Sequence, residues 1–342
     1  MSKFEITLCK DWIMWDNYII NHPNGTLYHL SSWKNAIEKS FNLEASYFIA
    51  VEDQKICGIL PLFRIRTLQF SWKVLSIPFA VYGGILADQS EMEQSLLDFA
   101  IKFTDQKSIN HLELRYLHNP EYDLAEQDLY NTFIKEIETT EEKILSSIPR
   151  KSRAAIRNGY SKFNLTADIN RDVKVLYHLY LLNKRKLGSP PYPYRFFKHL
   201  LSEFDNKAKI LTVFYRERPA ASVLFFEYKD TLLPYFSGAN SKYYNTNANN
   251  VLYYELMKYG LERNFKFFDF GRSRKQTGSA KFKENMGFIP RPLHYYHHLK
   301  SGEEIPNLNP SNQKFNIVSN IWSHLPLKLT EILGPEIVKR IP

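Results

Sequence analysis

Cysteine is scarce in this chain, with only Cys9 and Cys57 among 342 residues. Two cysteines build no disulfide framework, and no CxxC or cysteine–histidine cluster suggests zinc. The count fits a reducing compartment, so a cytoplasmic protein is expected. The opening stretch MSKFEITLCKDW lacks a basic segment followed by an apolar one, so no secretory signal is read there. No run of about 18 uninterrupted apolar residues exists, which argues against a spanning helix. Three common signature loops are absent as well. Without GxxxxGK(S/T) there is no Walker loop, and without GxGxxG a nicotinamide-binding unit is not expected. Without GxSxG an α/β-hydrolase triad has no support.

What is present is apolar and unevenly charged. A hydrophobic fraction of 44% and an aromatic fraction of 15% fill real cores and exclude a disordered chain. The length suits two domains. The net charge of +9 divides sharply along the chain. Residues 1–150 hold 14 basic and 21 acidic side chains, and residues 151–342 hold 31 and 15. An acidic first half is therefore joined to a strongly basic remainder. Between Lys151 and Lys198 there are eleven basic residues against Asp168 and Asp172. Arg272, Arg274, Lys275, Lys281 and Lys283 form a second cluster. Such asymmetry implies a polyanionic partner for the second half: phosphate, nucleic acid, a nucleotide-linked substrate or an anionic membrane surface.

The periodicity alternates strand and helix. The first half reads as a helix over Trp33–Phe41, capped by Ser31 or Ser32, then strands Tyr47–Val51, Ile56–Ile65 and Leu68–Leu75. The loop 76–84 follows, then a helix over Glu91–Thr104 and strands His111–Tyr116 and Thr132–Ile137. His111–Tyr116 alternates as a half-buried strand does. Glu141–Lys162 reads as a basic junction helix that Pro149 kinks or splits. The second half gives helices Asp172–Leu187 and Tyr194–Phe204, then strands Lys209–Tyr215, Ala220–Tyr228 and Leu232–Ser237. Helix Asn249–Arg263, strand Phe267–Phe270, a short helix near Ser279–Met286 capped by Ser279, and strand Leu293–Leu299 complete it. The expected fold is α/β, with two domains of one architecture in tandem. Their expected bounds are 1–145 and 146–300, with the junction helix at 141–162. The apolar tail 301–342 is expected to pack on them, although Phe315–Pro342 also has an interfacial-helix reading.

The densest chemical signal is FDFGRSRKQTGSAKFKENMGF (268–288). A strand delivers Asp269 to its C-terminal end, and Gly271 permits a tight exit. Arg272, Ser273 and Arg274 follow, and a short helix then presents Lys281 and Lys283. Ligands of α/β sheets bind beyond the carboxyl ends of strands, so this is a candidate phosphate cradle. Tyr235, in a strand leading to Ser237-Gly238, is the tyrosine placed at a ligand. His294, His297 and His298 cluster in a strand, but there His294 and His298 share a face while His297 points away, and no carboxylate completes a facial triad. They read as exposed strand histidines, and no metal is expected.

Several stretches together resemble the FemAB-like proteins, and most of all their PEP-CTERM/exosortase-associated subgroup. They are Trp33–Phe41, GILPLF (58–63), the loop 76–84, ELRY (113–116) and IPRKSRAAIRNGY (148–160). ILTV (210–213), DFGRSRKQTGSAKFKENMGF (269–288) and LGPEIVKRI (333–341) follow in the same order. The resemblance implies two GNAT-type domains side by side. It also implies transfer of an acyl or aminoacyl group to an amine of a cell-envelope or exopolysaccharide precursor such as peptidoglycan. The co-substrate would be aminoacyl-tRNA or acyl-CoA, with no permanently bound cofactor. The family's Phe-Lys pair matches Phe282-Lys283, which makes a cationic Lys283 the electrophilic helper. Asp269 would orient the amine or a loop arginine. Arg272, Ser273, Arg274 and Lys281 would hold anionic groups, and Arg153 and Arg157 would face phosphates. Tyr82 and Arg115 are acceptor-side candidates, with the acceptor in a groove between domains. GANSKYYNTNANN (238–250) departs from the glycine-rich pyrophosphate loop of acyl-CoA enzymes, which disfavours CoA. The expected state is a monomer, cytoplasmic, with a peripheral contact at the inner membrane face. The alternative is a non-catalytic module that binds an anionic polysaccharide or lipid-linked intermediate.

Overall fold

The structure is a computed structural model, and it describes residues 4–107, 109–300, 302, 305 and 313–341. The chain divides into two compact units. The first comprises 1–129, 292–308 and 339–342, and the second comprises 130–291 and 309–338.

The first unit begins with β1 (Glu5–Leu8), α1 (Trp12–Asn21) and α2 (Ser31–Phe41). It continues with β2 (Glu44–Glu52), β3 (Lys55–Arg66), β4 (Trp72–Leu75), β5 (Leu86–Ala87), α3 (Ser90–Gln106), β6 (His111–Tyr116) and β7 (Ala125–Gln127). The second runs through β8 (Tyr130–Glu136), α4 (Glu141–Ser147), α5 (Arg150–Ser161), β9 (Thr166–Asn170), α6 (Val173–Lys186) and α7 (Tyr194–Glu203). Then come β10 (Ala208–Tyr215), β11 (Arg218–Tyr228), β12 (Thr231–Ala239), α8 (Ala248–Glu262), β13 (Phe267–Asp269), β14 (Ser273–Arg274) and α9 (Gly278–Asn285). The link β15 (Pro290–Pro292) leads to β16 (His294–Leu299), and α10 (Gln313–His324) and α11 (Leu327–Val338) follow.

Each unit is built on a mixed sheet. The first has the order β1-β2-β3-β4-β6-β16-β7, with β5 beside β3. The second has the order β14-β8-β13-β12-β11-β10-β9. In each, one parallel pair interrupts an otherwise antiparallel sheet: β4 with β6, and β12 with β13. The second sheet is covered on both faces, so its central strands are mostly apolar, with the buried Thr212 and Ser222 hydroxyls paired to each other. Ala221, Val223 and Phe225 share a core with Val251, Leu252 and Leu256 of α8. The alternate positions meet α6 and α7, where Phe236 packs on Tyr180 and Phe197 at 5.9 and 4.9 Å. Gly238 lets α6 approach closely, because a Cβ there would lie 2.3 Å from the Tyr180 nitrogen.

Local expectations and long-range pairing fare differently. Pro149 does split the junction helix, standing as the cap residue between α4 and α5. The tail helices α10 and α11 pack against α6. Two strands, however, pair elsewhere than their order in the chain suggested. Tyr130–Glu136, read with the first half, lies in the second sheet between β13 and β14. His294–Leu299, read with the second half, lies in the first sheet between β6 and β7. A period-2 pattern specifies a strand and its inward face but not its neighbour. β6 is also buried at every position rather than half-buried. His297 is 3% exposed, which corrects its reading as a surface histidine.

Candidate functional site

The second unit's parallel pair is short. β12 and β13 are bridged at Thr231–Phe267 and Leu232–Phe268. β13 stops at Asp269, while β12 runs on to Ala239. A bulge between Leu224 and Phe225 adds local bend to the β11–β12 ladder. Beyond Asp269 the chain follows β8 instead, with the Phe270 amide donating to the Phe133 carbonyl and Ser273 opposite Asn131. The two parallel strands therefore part at their carboxyl ends, the position where α/β sheets place ligands. Tyr253 of α8 reaches both sides of the parting. Its hydroxyl donates to Ser237 Oγ at 3.0 Å, and its ring lies 4.3 Å from that of Phe270.

Asp269 shapes the turn that follows. It is 2% exposed, and its Oδ1 accepts from the Gly271 amide at 2.9 Å and from the Thr132 hydroxyl at 3.1 Å. Gly271 has φ +70°, a left-handed conformation that costs glycine nothing. That turn aims two carbonyls at one spot. Lys283 occupies it, donating from Nζ to the Gly271 oxygen at 2.7 Å and the Arg272 oxygen at 3.2 Å. Its ammonium lies 5.1 Å from the rings of both Phe133 and Phe270. α9 carries Lys283 inward. The helix is capped by Thr277, whose Oγ1 accepts from the Ala280 amide, and not by Ser279. Ser279 instead meets Ser273, with the hydroxyl oxygens 2.9 Å apart.

Burial changes what Lys283 is. Desolvation pushes its pKa down to about 7, Asp269 opposes the shift and Arg272 adds to it. The expected permanent cation is thus an amine that ionises near neutrality. Two N–H bonds to carbonyls exist in either state, so only the third valence switches between donor and lone pair. Lys184, near the end of α6, was not singled out in the sequence. Its pKa is drawn down to about 8 by burial and then by the charge of Arg272. Sitting in Lys184-Arg185-Lys186, it reads as an ordinary basic helix terminus.

The structure brings Asp269, Arg272 and Lys283 together and adds Lys184 and Thr132. Arg272 lies over the ring of Tyr130 at 4.7 Å. Ser273 is buried, and Arg274 is part-exposed with its carbonyl accepting from Thr277. Lys281 points outward, 71% exposed at its side chain and paired with Glu284 at 3.3 Å. Phe282 packs beside Tyr253 and Phe270. Tyr235 is half-buried against Phe236 and Phe226, at the bulge where the β11–β12 register shifts. Arg153 and Arg157 lie on α5, which packs on α8. Arg157 is exposed, whereas Arg153 Nε is buried without a hydrogen-bond partner.

Tyr82 and Arg115 belong to the first unit. Tyr82 is buried edge-on to Tyr28 at 5.2 Å. Arg115 is 3% exposed and commits its guanidinium to Glu113 at 2.6 Å and the Ala80 carbonyl at 3.2 Å. Glu113 also pairs with Lys73. His111, Glu113 and His297 offer three ligand atoms within 4.8 Å of one another. His111 Nε2 and His297 Nδ1 are 2.8 Å apart. Burial lowers their pKa values to about 3 and about 4, so both are neutral at pH 7. Burial alone would raise the Glu113 pKa, but Arg115 and Lys73 outweigh it and hold it well below the usual range. Two cations already neutralise the carboxylate, and that opposes a metal ion on it. The sequence missed this group because Glu113 and His297 are 184 positions apart.

Comparison with known proteins agrees with this geometry. Residues 143–284 match the family model described as an acetyltransferase (GNAT) domain. No curated protein matches the sequence. Among solved structures, FemX superimposes with a TM-score of 0.64 at 13% identity, covering 85% of this chain and 97% of its own. The C-terminal domain of a putative lysylphosphatidylglycerol synthetase from Agrobacterium fabrum gives 0.58 at 10% identity, covering 85% and 93%. A tandem GNAT protein from the clavulanic acid biosynthesis pathway gives 0.55 at 8% identity, covering 88% and 100%. This chain has the fold of that group, two GNAT-like domains in tandem, each a mixed sheet flanked by helices.

Proposed function

We propose that the chain is an N-acyltransferase of the Fem/GNAT type, with its reaction centre around Lys283. The observation that carries this reading is the buried Lys283 amine, held by the Gly271 and Arg272 carbonyls at the carboxyl-terminal parting of β12 and β13, where burial pushes its pKa down to about 7. The reaction joins the nitrogen of an acceptor amine to the acyl carbon of an ester or thioester. The bond from that carbon to oxygen or sulfur breaks, and the amine proton leaves with the alcohol or thiol. Neutral Lys283 takes the proton from the attacking nitrogen through its third valence. Protonated, it donates to the tetrahedral oxyanion and then to the leaving group. Asp269 holds the turn that fixes Lys283 in place. Arg272 and Lys184 bind the anionic part of the donor, with Arg153, Arg157 and Arg274 as further phosphate contacts and Tyr235 and Phe282 beside the acyl group.

The donor is aminoacyl-tRNA or acyl-CoA. The segment after β12 bears on the choice. A 3-10 turn at Ser241–Thr246 replaces a glycine-rich loop there. The amides of Lys242, Tyr243, Asn247, Asn250 and Val251 are spent on local oxygens. That leaves fewer backbone donors for a pyrophosphate and favours aminoacyl-tRNA. The acceptor class is an amine of a cell-envelope or exopolysaccharide precursor, supported by the likeness to FemX. The test is transfer of labelled acyl groups from each donor to an amine-bearing precursor, with wild type and Lys283→Met. Transfer that survives in Lys283→Met at the wild-type rate overturns the reading. Salt separates the donors, because binding through many tRNA phosphates weakens steeply with salt and CoA binding weakens little.

A further inference from the structure

The β3–β4 hairpin of the first unit carries a surface that acyl transfer does not use. Phe63 and Ile65 point into the core, and Arg64 and Arg66 alternate outward. Trp72 stands opposite Arg66 in the ladder. Its ring stacks under Arg64 at 3.9 Å, and Arg66 lies 5.2 Å from the ring of Phe70. Arg340, from the chain's end, covers the same Phe70 ring at 5.4 Å. A cavity of about 290 Å³ opens here, lined by Arg64, Arg66, Trp72, Lys339 and Arg340, with Glu44 as its one acid. Four cations converge on one spot, two from the net-acidic first half of the chain and two from its basic end.

The tip itself is apolar and uncharged. Thr67–Ser71 contains no ionisable side chain, and Leu68, Phe70 and Trp72 are 48, 64 and 39% exposed. Phe70 adopts φ +62°, a left-handed conformation in which a bulky residue is strained and asparagine or glycine is at ease. An aromatic held there at a conformational cost, with most of its ring in water, is not explained by packing.

We propose that this hairpin docks on an anionic phospholipid bilayer. Leu68, Phe70 and Trp72 enter the headgroup–acyl boundary, and Arg64, Arg66, Lys339 and Arg340 hold lipid phosphates behind them. The charge complementarity selects the anionic surface, and the charge-free tip permits insertion. This surface is independent of the reading of Lys283.

The test is co-sedimentation of the full chain with vesicles of phosphatidylcholine alone and of phosphatidylcholine with phosphatidylglycerol, at low and high salt. Binding is expected to the anionic vesicles and to weaken with salt. Phe70→Asn should lower partitioning about tenfold. Its melting temperature should not fall, because asparagine suits the backbone, so lost binding is not lost folding. Arg66→Gln should lower it about fivefold. Brominated lipid should quench tryptophan emission in wild type and less in Trp72→Phe. Equal binding to neutral vesicles, no binding to anionic ones, or wild-type binding by Phe70→Asn overturns the proposal. So does a dimer that Phe70→Asn dissolves, or RNA binding through Arg66 without vesicle binding.

Discussion

Each unit has one place where a parallel strand pair comes apart, and the two places are filled differently. In the first unit β4 and β6 are bridged at Val74–Leu112 and Leu75–Glu113. The loop that follows turns straight back into the gap. Ser76 donates to the Glu113 carbonyl, Gly83 donates to the Arg115 carbonyl, and the Ile85 amide donates to the Tyr116 hydroxyl. Ile77, Phe79 and Ala80 are at most 1% exposed. Glu113 is matched by Arg115 and Lys73. In the second unit the corresponding parting holds Lys184, Arg272 and Lys283 against Asp269, and two of these cations have depressed pKa values. The same architecture thus serves once as a sealed plug whose cations are both ion-paired to one carboxylate, and once as a place where three cations share one acid. Burial of ionisable groups marks both, so burial alone does not mark a site. The balance of charge does.

Substitution should separate the two. Under the proposed function, Lys283→Met lowers the transfer rate by about 10²–10⁴-fold, measured as kcat. Glu113→Gln leaves kcat per folded molecule unchanged but strands Arg115 and Lys73. It should cost about 3–5 kcal/mol in urea denaturation. If Glu113→Gln abolishes turnover without destabilising, the plug is a site and the contrast collapses. Arg272→Ala and Lys184→Ala should each raise KM for the donor about tenfold with little change in kcat, since each removes one charge-assisted contact.

The pH dependence sharpens the comparison further. Transfer should rise with pH through about 7 as Lys283 loses its proton, and Lys283→Arg should not restore it. Stability has its own sign. Lys283 binds its proton more weakly folded than unfolded, so the cost of burying it is full below about 7 and is relieved as pH rises toward the ordinary lysine range. Relative to Lys283→Met, the wild type should gain melting temperature between pH 7 and 10. A parallel pair of curves would mean that Lys283 is not desolvated.

Much of this was legible in residues close together in sequence. Pro149 broke the helix where its missing N–H and ring demand, and Asp269-Phe270-Gly271-Arg272 announced a strand ending in a tight basic turn. What was not legible lay in partners far apart. Lys184 looks like any helix-terminal cation until Arg272, 88 positions on, is folded beside it. HLELRY alternates as a half-buried strand does, and only the folded sheet supplies Lys73 for Glu113 and His297 for His111. Lys283 was found through its resemblance to the family's Phe-Lys pair, but its lowered pKa comes from burial and from the charge of Arg272, which no motif reports.

The exchanged strands carry a consequence for how the chain is made. β6 finds its neighbour β16 only after residues 294–299 have left the ribosome, long after strands β1 to β6 have been made. Until then β6 is an unpaired edge, the kind of edge that recruits other chains. Synthesis of residues 130–291 of the second unit intervenes. A fragment ending at residue 145 would keep that edge open for good and would carry β8 as a strand without its sheet. The chain is therefore one translational unit although it is two architectural ones, and its safest halves are not consecutive pieces of sequence.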